Sequence, residues 1–470
     1  MLINGERTTA IDERVFPVTD PATGEAIASL PLGDLEDVRR AVDGAEATQP
    51  GWARTSPRDR ARVLTAAAQL IRERVPALAR QLTMEQGKPL REATDEIRGT
   101  ANVLEYYAGL GSAFRDEFHR IDRDLDAQVL RQPIGVCAAI IPWNMPALLL
   151  AWKAGPALLC GNAVVVKPAS TAPLTPLSLA EILHEAGLPD GLLNVVTGPG
   201  EVVGEALVAE PRVRKVSFTG STATGRRVMA LAGADIKRVT LELGGSDPMI
   251  VCEDADLSAA VAGAVAGRYY NSGQVCTAVK RLFVHETVAD EFTRRLTAEV
   301  GRLTIGNGLA PETRMGPLNS AGGRDRIRDL VDETREDEAG TIVTGGNEPG
   351  GAGHFYEPTV VTDVAEDSRL LKEEVFGPVL PVVRVRDLDE AIARANHSPY
   401  GLGASVWTKS HAYMREAAVR LEAGIVWQNL HLKIPPEVPF GGVKQSGLGR
   451  ENGLQAIDAW SEQKTVLLRL

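Results

Sequence analysis

The sequence predicts an α/β protein built from two domains, each a mostly parallel sheet covered by helices. Three observations predict it. The chain has 470 residues, beyond the roughly 250–300 at which one hydrophobic core stops growing. From residue 134 to about 251, short apolar runs alternate with helical stretches. A second alternating region extends from 281 to about 426. Strands separated by helices indicate βαβ units and a sheet buried on both faces.

The elements follow in order. After a short strand-and-turn lead, the first hundred residues read as helices. Ser56-Pro57 suits an N-cap with Pro at the first helical position, and Leu64, Ala67, Ala68 and Ile71 share one face. Pro76 starts a further helix. Ile97, Ala101, Leu104 and Ala108 repeat the spacing until Gly109 and Gly111 break it. The polar stretch from Arg115 to Arg131 alternates near its end (Leu125, Ala127, Val129) and reads as an exposed hairpin. The strand-like runs are then 134–141, 163–166, 192–196, 213–218, 239–243 and 249–251, with helical segments such as 176–186 and 222–231 between them. In the second region, 281–285, 359–364 and 379–385 read as strands, and 288–300 and 388–395 as helices.

Composition excludes several function classes. Lys+Arg number 51 against 62 Asp+Glu, a net charge of −11, and no basic block could track a phosphate backbone, so no nucleic-acid partner is expected. No apolar run approaches the roughly 18–20 residues that span a bilayer, and Met1-Leu-Ile-Asn-Gly-Glu-Arg does not open like a signal peptide. A cytoplasmic protein without membrane contact is expected. The four cysteines are too few for a disulfide framework and form no C-x-x-C pair. No His/Cys cluster suggests a metal, so none is expected.

Four segments carry chemistry. Asn271-Ser-Gly-Gln-Val-Cys276 sets a cysteine after a Gly-containing turn, where a thiol can face a cleft as a nucleophile. A lone Cys is more often a core filler, and Cys137, Cys160 and Cys252 in or beside apolar runs read that way. Leu241-Glu242-Leu-Gly-Gly245 places a carboxylate at an apolar strand end, where burial raises its pKa toward that of a general base; a turn-capping carboxylate is the plain alternative. Pro142-Trp-Asn144-Met-Pro146 fixes a turn that can aim an amide at a developing oxyanion, or is only a rigid turn. Phe218-Thr-Gly-Ser-Thr-Ala-Thr-Gly225 lies where a strand passes into a helix, a place that can receive phosphate, though it is not G-x-G-x-x-G.

Together and in this order, these segments resemble the aldehyde dehydrogenase family, from Asp20-Pro-Ala-Thr-Gly24 to Lys464-Thr-Val466. The carrying pieces are P-W-N-M-P, V-V-K-P-A-S, F-T-G-S-T, L-E-L-G-G, G-Q-V-C, E-E-V-F-G-P and P-F-G-G-V-K-Q-S-G. The resemblance implies a Rossmann-like cofactor-binding domain (1–114 and 134–243), an α/β catalytic domain (244–446) and a small β oligomerisation flap (115–133 and 447–470). It implies oxidation of an aldehyde to the acid, with Cys276 as nucleophile, Asn144 and the Cys276 N–H as oxyanion donors and Glu242 activating water on the thioester. Lys153 and Glu462 would lie on a proton path behind that base, or form a structural salt bridge.

For the cofactor, the resemblance assigns Trp143 to the groove, Lys167 to the adenosine ribose, Gly220 and Ser221 to the pyrophosphate, and Glu374 and Phe376 to the nicotinamide ribose and ring. Ser170 stands where many NAD-preferring members carry a glutamate, which implies that NADP is accepted besides NAD. Leu243-Gly-Gly-Ser-Asp247 is reminiscent of the succinate-semialdehyde branch, but Tyr270 stands where that branch carries an arginine. An aromatic or medium-length apolar aldehyde is expected instead, met by Trp152, Tyr269, Tyr270, His431 and Lys433. A coenzyme A-acylating or phosphorylating relative would not need Glu242, and a silent structural member would not need Cys276. The flap implies a homodimer or homotetramer.

Overall fold

The computed structural model describes residues 1–114 and 116–470; Arg115, where the polar stretch was expected to begin, lies outside them. The first sheet has eight strands in the spatial order Gly447–Leu448, Arg238–Glu242, Val213–Thr219, Val136–Ile141, Ala163–Pro168, Leu193–Val195, Leu2–Ile3 and Glu6–Arg7. From Arg238–Glu242 to Leu193–Val195 the strands are parallel. Val136–Ile141 and Ala163–Pro168 are buried along their whole length, which is why they read as unbroken apolar runs. The chain starts at Val136–Ile141, builds outward to Leu193–Val195, then returns to lay Val213–Thr219 on the other side. The order therefore reverses between Val136–Ile141 and Val213–Thr219, and ligands of such sheets bind outside the carboxyl ends of the strands at that reversal. The Pro142–Pro146 turn follows one of these strands and Gly220-Ser221 the other.

The second sheet has seven strands in the order Thr341–Thr344, Thr359–Thr362, Val379–Val385, Val279–His285, Asp247–Val251, Gly403–Trp407 and Ile425–Gln428. Only Thr341–Thr344 runs antiparallel to its neighbour. Asp247–Val251, which spacing alone grouped with the first alternating region, lies inside this sheet, between Val279–His285 and Gly403–Trp407. Leu243-Gly-Gly is where the chain leaves one sheet for the other.

In the small third sheet, Ser461–Arg469 pairs antiparallel with Leu125–Pro133, which pairs with Glu117–Asp122. Residues 447–454, grouped with this flap from the sequence, do not join it. Gly447–Leu448 instead adds an antiparallel strand beside Leu241 and Glu242.

The four N-terminal helices are Leu35–Arg54, Pro57–Glu73, Val75–Gln86 and Leu90–Gly109. Ser56 caps the second by accepting from the Asp59 N–H at 3.2 Å. Helix Pro146–Leu159 carries no 3.6-residue signature, because nearly every residue of it is buried and an all-apolar helix shows no polar face.

Candidate active site

The cysteine loop is held from several sides. Asn271 and Ser272 adopt left-handed φ of 50° and 56°, an unfavourable backbone for side-chain-bearing residues. Buried partners compensate. The Glu92 carboxylate accepts the Asn271 N–H at 2.7 Å, the Ser272 hydroxyl donates to the Gly316 carbonyl at 2.8 Å, and the Gln274 amide oxygen accepts the Asn319 N–H at 2.9 Å. Cys276 emerges from this clamp into a cavity of about 840 Å³ that also receives Asn144, Glu242, Gly220, Ser221, Glu374 and Phe376. It is a free thiol, half-buried where the other three cysteines are fully buried.

Asn144 is anchored through its backbone. Its carbonyl accepts Lys88 Nζ at 2.6 Å and Asn271 Nδ2 at 3.0 Å, while its own Nδ2 donates to the Gln274 carbonyl at 3.0 Å. One amide hydrogen stays available. Lys88 pairs with Glu96 at 2.6 Å, both side chains wholly buried. The other Glu96 oxygen accepts the N–H groups of Ala147 and Leu148 at 2.9 and 3.2 Å. Pro146, at the first turn of that helix, has no N–H of its own, so Glu96 caps the helix start from outside.

Glu242 ends its strand buried, and neither carboxylate oxygen has a partner among the described residues. Burial, then the nearby Glu451 carboxylate, pushes its pKa well above the ordinary glutamate value, against the pull of Lys153 and Arg450. Behind it, Glu451 Oε1 takes Lys153 Nζ at 2.8 Å and the Ser217 hydroxyl at 2.7 Å. Lys153 thus lies with Glu451 behind Glu242, whereas Glu462, expected on the same path, sits on the flap strand and pairs with Arg214 and Arg238 at 3.3 and 3.1 Å. The adjoining Arg450-Glu451-Asn452 segment supplies the carboxylate because it folds back beside Phe440.

Two glycines let the halves of the site close together. A Cβ on Gly244 would strike the Glu374 carboxylate, and one on Gly245 would lie 2.8 Å from the Cys276 carbonyl. Burial pushes the Cys276 thiol up to about 12; Lys280 works against this, while Asp247, Glu242 and Glu374 add to it.

The residues at the reversal of the first sheet fit a dinucleotide. A Cβ on Gly220 would meet the Phe218 ring at 2.5 Å, so the turn keeps its backbone bare toward the cavity. Ser221 caps the helix Thr222–Gly233, whose free N–H groups suit a phosphate. Lys167 is buried without a hydrogen-bond acceptor among the described residues, and burial lowers its pKa to about 8. The Ser170 hydroxyl donates to the Gly198 carbonyl at 2.9 Å. Trp143 and Phe376 meet edge to face at 5.6 Å.

Much of the remaining lining is apolar: Met145, Leu148, Leu149, Val275, Leu432, Ile434 and Phe440 join Trp152 and Tyr270, with Asp95, Glu96 and Thr277 among them. Trp152 and Phe440 pack edge to face at 5.2 Å. Three expected pocket residues are elsewhere, among them Lys433, which is exposed and accepts Trp427 Nε1 on its carbonyl at 2.8 Å. Tyr269 is buried with its hydroxyl on the Thr359 carbonyl at 2.9 Å, facing away from this cavity. His431 is wedged between the Ser405 hydroxyl and the Thr277 carbonyl at 2.9 and 2.8 Å, and burial lowers its pKa to about 4. Tyr270 is the last residue before the left-handed turn, and Leu432 replaces its neighbour His431 at the wall, an alternation no spacing rule reveals. Lys88, Glu96, Lys280 and Glu451 were not singled out by the sequence either, since a buried charge is marked only by its partners.

Comparison with known proteins agrees with this arrangement. The aldehyde dehydrogenase family model matches residues 8–466. A betaine aldehyde dehydrogenase of Rhizobium johnstonii is 43% identical, over 99% of this chain and 96% of that protein. An NADP-dependent enzyme of E. coli superposes with a TM-score of 0.98 at 40% identity, covering 100% of this chain and 98% of that one. A betaine aldehyde dehydrogenase of Staphylococcus aureus, solved with NAD+, superposes with a TM-score of 0.97 at 35% identity over 99% and 94% of the two chains. The full-length match, joined to a thiol, a buried carboxyl and an amide around one cavity, leads to a single conclusion: the chain belongs to the aldehyde dehydrogenase family, enzymes that oxidise aldehydes to carboxylic acids with a nicotinamide dinucleotide.

Proposed function

We propose that Cys276 is the nucleophile that takes an apolar or aromatic aldehyde to its acid, with Asn144 as oxyanion donor and Glu242 as the base that admits water. The carrying observation is the meeting of these three side chains in one cavity whose remaining lining is largely aliphatic and aromatic. Deprotonated Cys276 Sγ adds to the carbonyl carbon. The free Asn144 amide hydrogen and the Cys276 N–H stabilise the resulting oxyanion. The bound dinucleotide supplies the acceptor for the hydride that leaves that carbon. Glu242 then removes a proton from water as its oxygen attacks the thioester carbon; the C–S bond breaks, the carboxylic acid leaves, Cys276 returns to the thiolate and the proton stays on Glu242. With no side-chain hydrogen bond to break, Glu242 is free to receive that proton, and Glu451 with Lys153 stands behind it to pass the proton on.

For the cofactor, Lys167 with Ser170 favours acceptance of NADP: a hydroxyl replaces a carboxylate that would repel a 2′-phosphate, and an unpaired buried cation gains from one. The NADP-dependent relative is consistent with that reading. A second substrate reading is a quaternary ammonium aldehyde, favoured by the rings of Trp152, Phe440 and Tyr270, by Asp95 on the wall, and by the names of the Rhizobium relatives. The aliphatic residues between those rings favour the apolar aldehyde. In the flap, Phe118, Ile121, Leu467, Leu468 and Leu470 are exposed, and edge strands with apolar side chains invite a second copy, so a homodimer or homotetramer completes the reading. Four free thiols suit a reducing cytoplasm.

One experiment tests the core of this: an aldehyde panel containing hexanal, benzaldehyde, betaine aldehyde and succinic semialdehyde, assayed with NAD and NADP in parallel and with Cys276→Ala as control. Turnover of the first two, lost in the control, is expected. Activity on succinic semialdehyde alone overturns the substrate reading, and equal or better efficiency with NAD overturns the NADP preference.

A further inference from the structure

Lys280 is the group closest to the reacting thiol that the mechanism above leaves without work. It is the second residue of the strand Val279–His285 that follows the Cys276 loop, its side chain wholly buried. Its ammonium donates to the Cys276 carbonyl and to the Val275 carbonyl, the latter at 3.0 Å, and stands 3.4 Å from Glu374 Oε1. The same Glu374 oxygen accepts the Gly245 N–H at 3.1 Å. The ammonium also lies over the Phe376 ring, 5.7 Å from its centroid, and beside the buried Asp247 carboxylate; a wholly buried ammonium with one carboxylate in ion-pair reach is an expensive arrangement. What distinguishes its position is that it grips the peptide of the nucleophile itself.

We propose that Lys280 is a positioning residue for the thiolate of Cys276, and that Glu374 partly masks its charge until the ribose of a bound dinucleotide draws that carboxylate away. The inference rests on the reading of Cys276 as nucleophile and Glu374 as ribose contact. Geometry gives it two parts. The ammonium fixes the Cys276 carbonyl and so the backbone from which Sγ projects. Its charge also lies within a few bonds of the sulfur in a buried setting, where a cation favours the charged sulfur. Glu374, paired to the same ammonium, opposes that effect, in line with the opposite influences of Lys280 and Glu374 on the thiol. Removing the Glu374 carboxylate from Lys280 strengthens the cation's effect on the sulfur, with the Asp247 and Glu242 carboxylates left to oppose it. No bond is made or broken in this step; one ion pair is exchanged for contacts of Glu374 with ribose hydroxyls.

The test is the pH dependence of alkylation of the thiol by iodoacetamide in the intact enzyme without cofactor. Cys137, Cys160 and Cys252 are buried, so the rate reports Cys276, and Cys276→Ala supplies the blank. Lys280→Met is expected to move the profile upward by about one pH unit and slow alkylation at pH 8 about tenfold. Lys280→Arg, which keeps the charge, is expected to restore most of the rate. Glu374→Gln is expected to shift the profile the other way, as saturating NADP does in the parent and fails to do in Lys280→Met. A profile unchanged by Lys280→Met, or moved upward as far by Lys280→Arg as by Lys280→Met, overturns the proposal. If Lys280→Met folds poorly, the Glu374→Gln profile decides alone, an unshifted one overturning it. Full activity of Cys276→Ala would instead remove the underlying reading of the nucleophile.

Discussion

Two buried charge clusters lie on either side of the aldehyde cavity, and they are built on opposite rules. Around Lys88 and Glu96 the ammonium and both carboxylate oxygens are occupied: Lys88 by Glu96 and the Asn144 carbonyl, Glu96 by Lys88 and two helix N–H groups. Around Glu242 the valences are open. Both of its oxygens, Glu451 Oε2, the Asn452 amide and the Tyr107 hydroxyl have no partner among the described residues. Buried polar groups are ordinarily hydrogen-bonded, so open ones ask for a reason. A closed network holds a neighbour still, and an open one keeps lone pairs free for water and protons. Asn144 must be aimed, and Glu242 must react.

Substitutions can break that contrast. The largest effect is expected at Glu242→Gln: steady-state turnover should fall about 10²- to 10⁴-fold while a single-turnover burst of reduced cofactor survives, because hydride leaves before water is needed. Since no hydrogen bond is lost, the melting temperature should not drop. Loss of the burst would show that the carboxylate also serves thiol attack. In the parent, turnover should climb between pH 6 and 9. Glu242 and Cys276 both act deprotonated and burial raises both pKa values, so activity gained by losing protons appears later than for an ordinary glutamate. A flat profile would mean that the base is ionised throughout.

The closed cluster should respond in stability instead. Lys88→Met leaves Glu96 buried and unpaired, for a loss of about 3–5 kcal/mol in denaturant unfolding, and adding Glu96→Leu should recover part of it. No difference between single and double variant would show that the pair is not coupled. A smaller effect is expected at Ser170→Glu, where the restored carboxylate should turn preference from NADP toward NAD by about tenfold or more, read from the two kcat/KM values. Smallest is Tyr269→Phe. Its hydroxyl bonds only the Thr359 carbonyl, so about 1 kcal/mol of stability should go with kcat and KM unchanged; a raised KM would return Tyr269 to the pocket.

How much of this was legible differs between elements. The parallel strands Val136–Ile141 and Ala163–Pro168 announce themselves as apolar runs between helices, since burial on both faces demands such runs; Val213–Thr219 is less plain, because its buried residues include Lys215 and Ser217. Ser56-Pro57 is legible because a cap is a local interaction. Helix Pro146–Leu159 is hidden because total burial erases periodicity. The sheet that receives Asp247–Val251 and the diversion of Gly447–Leu448 into the first sheet are decided by pairing across long sequence distances, which no local pattern encodes.

The same division holds at the site. Sequence by itself determined the chemistry on offer: a thiol after a turn at Cys276, a carboxyl at a strand end at Glu242, an amide between prolines at Asn144, and their order along a family pattern. These are local choices of residue type, and local choices survive in one dimension. Only the tertiary structure decided which charges surround them. It put Glu451 in place of Glu462 beside Lys153, turned Tyr269 and His431 out of the cavity, and set Lys280 and Glu374 against Cys276. The physical reason is that a buried charge is tolerable only with partners, and those partners come from whichever distant segments the packing brings within about 3 Å.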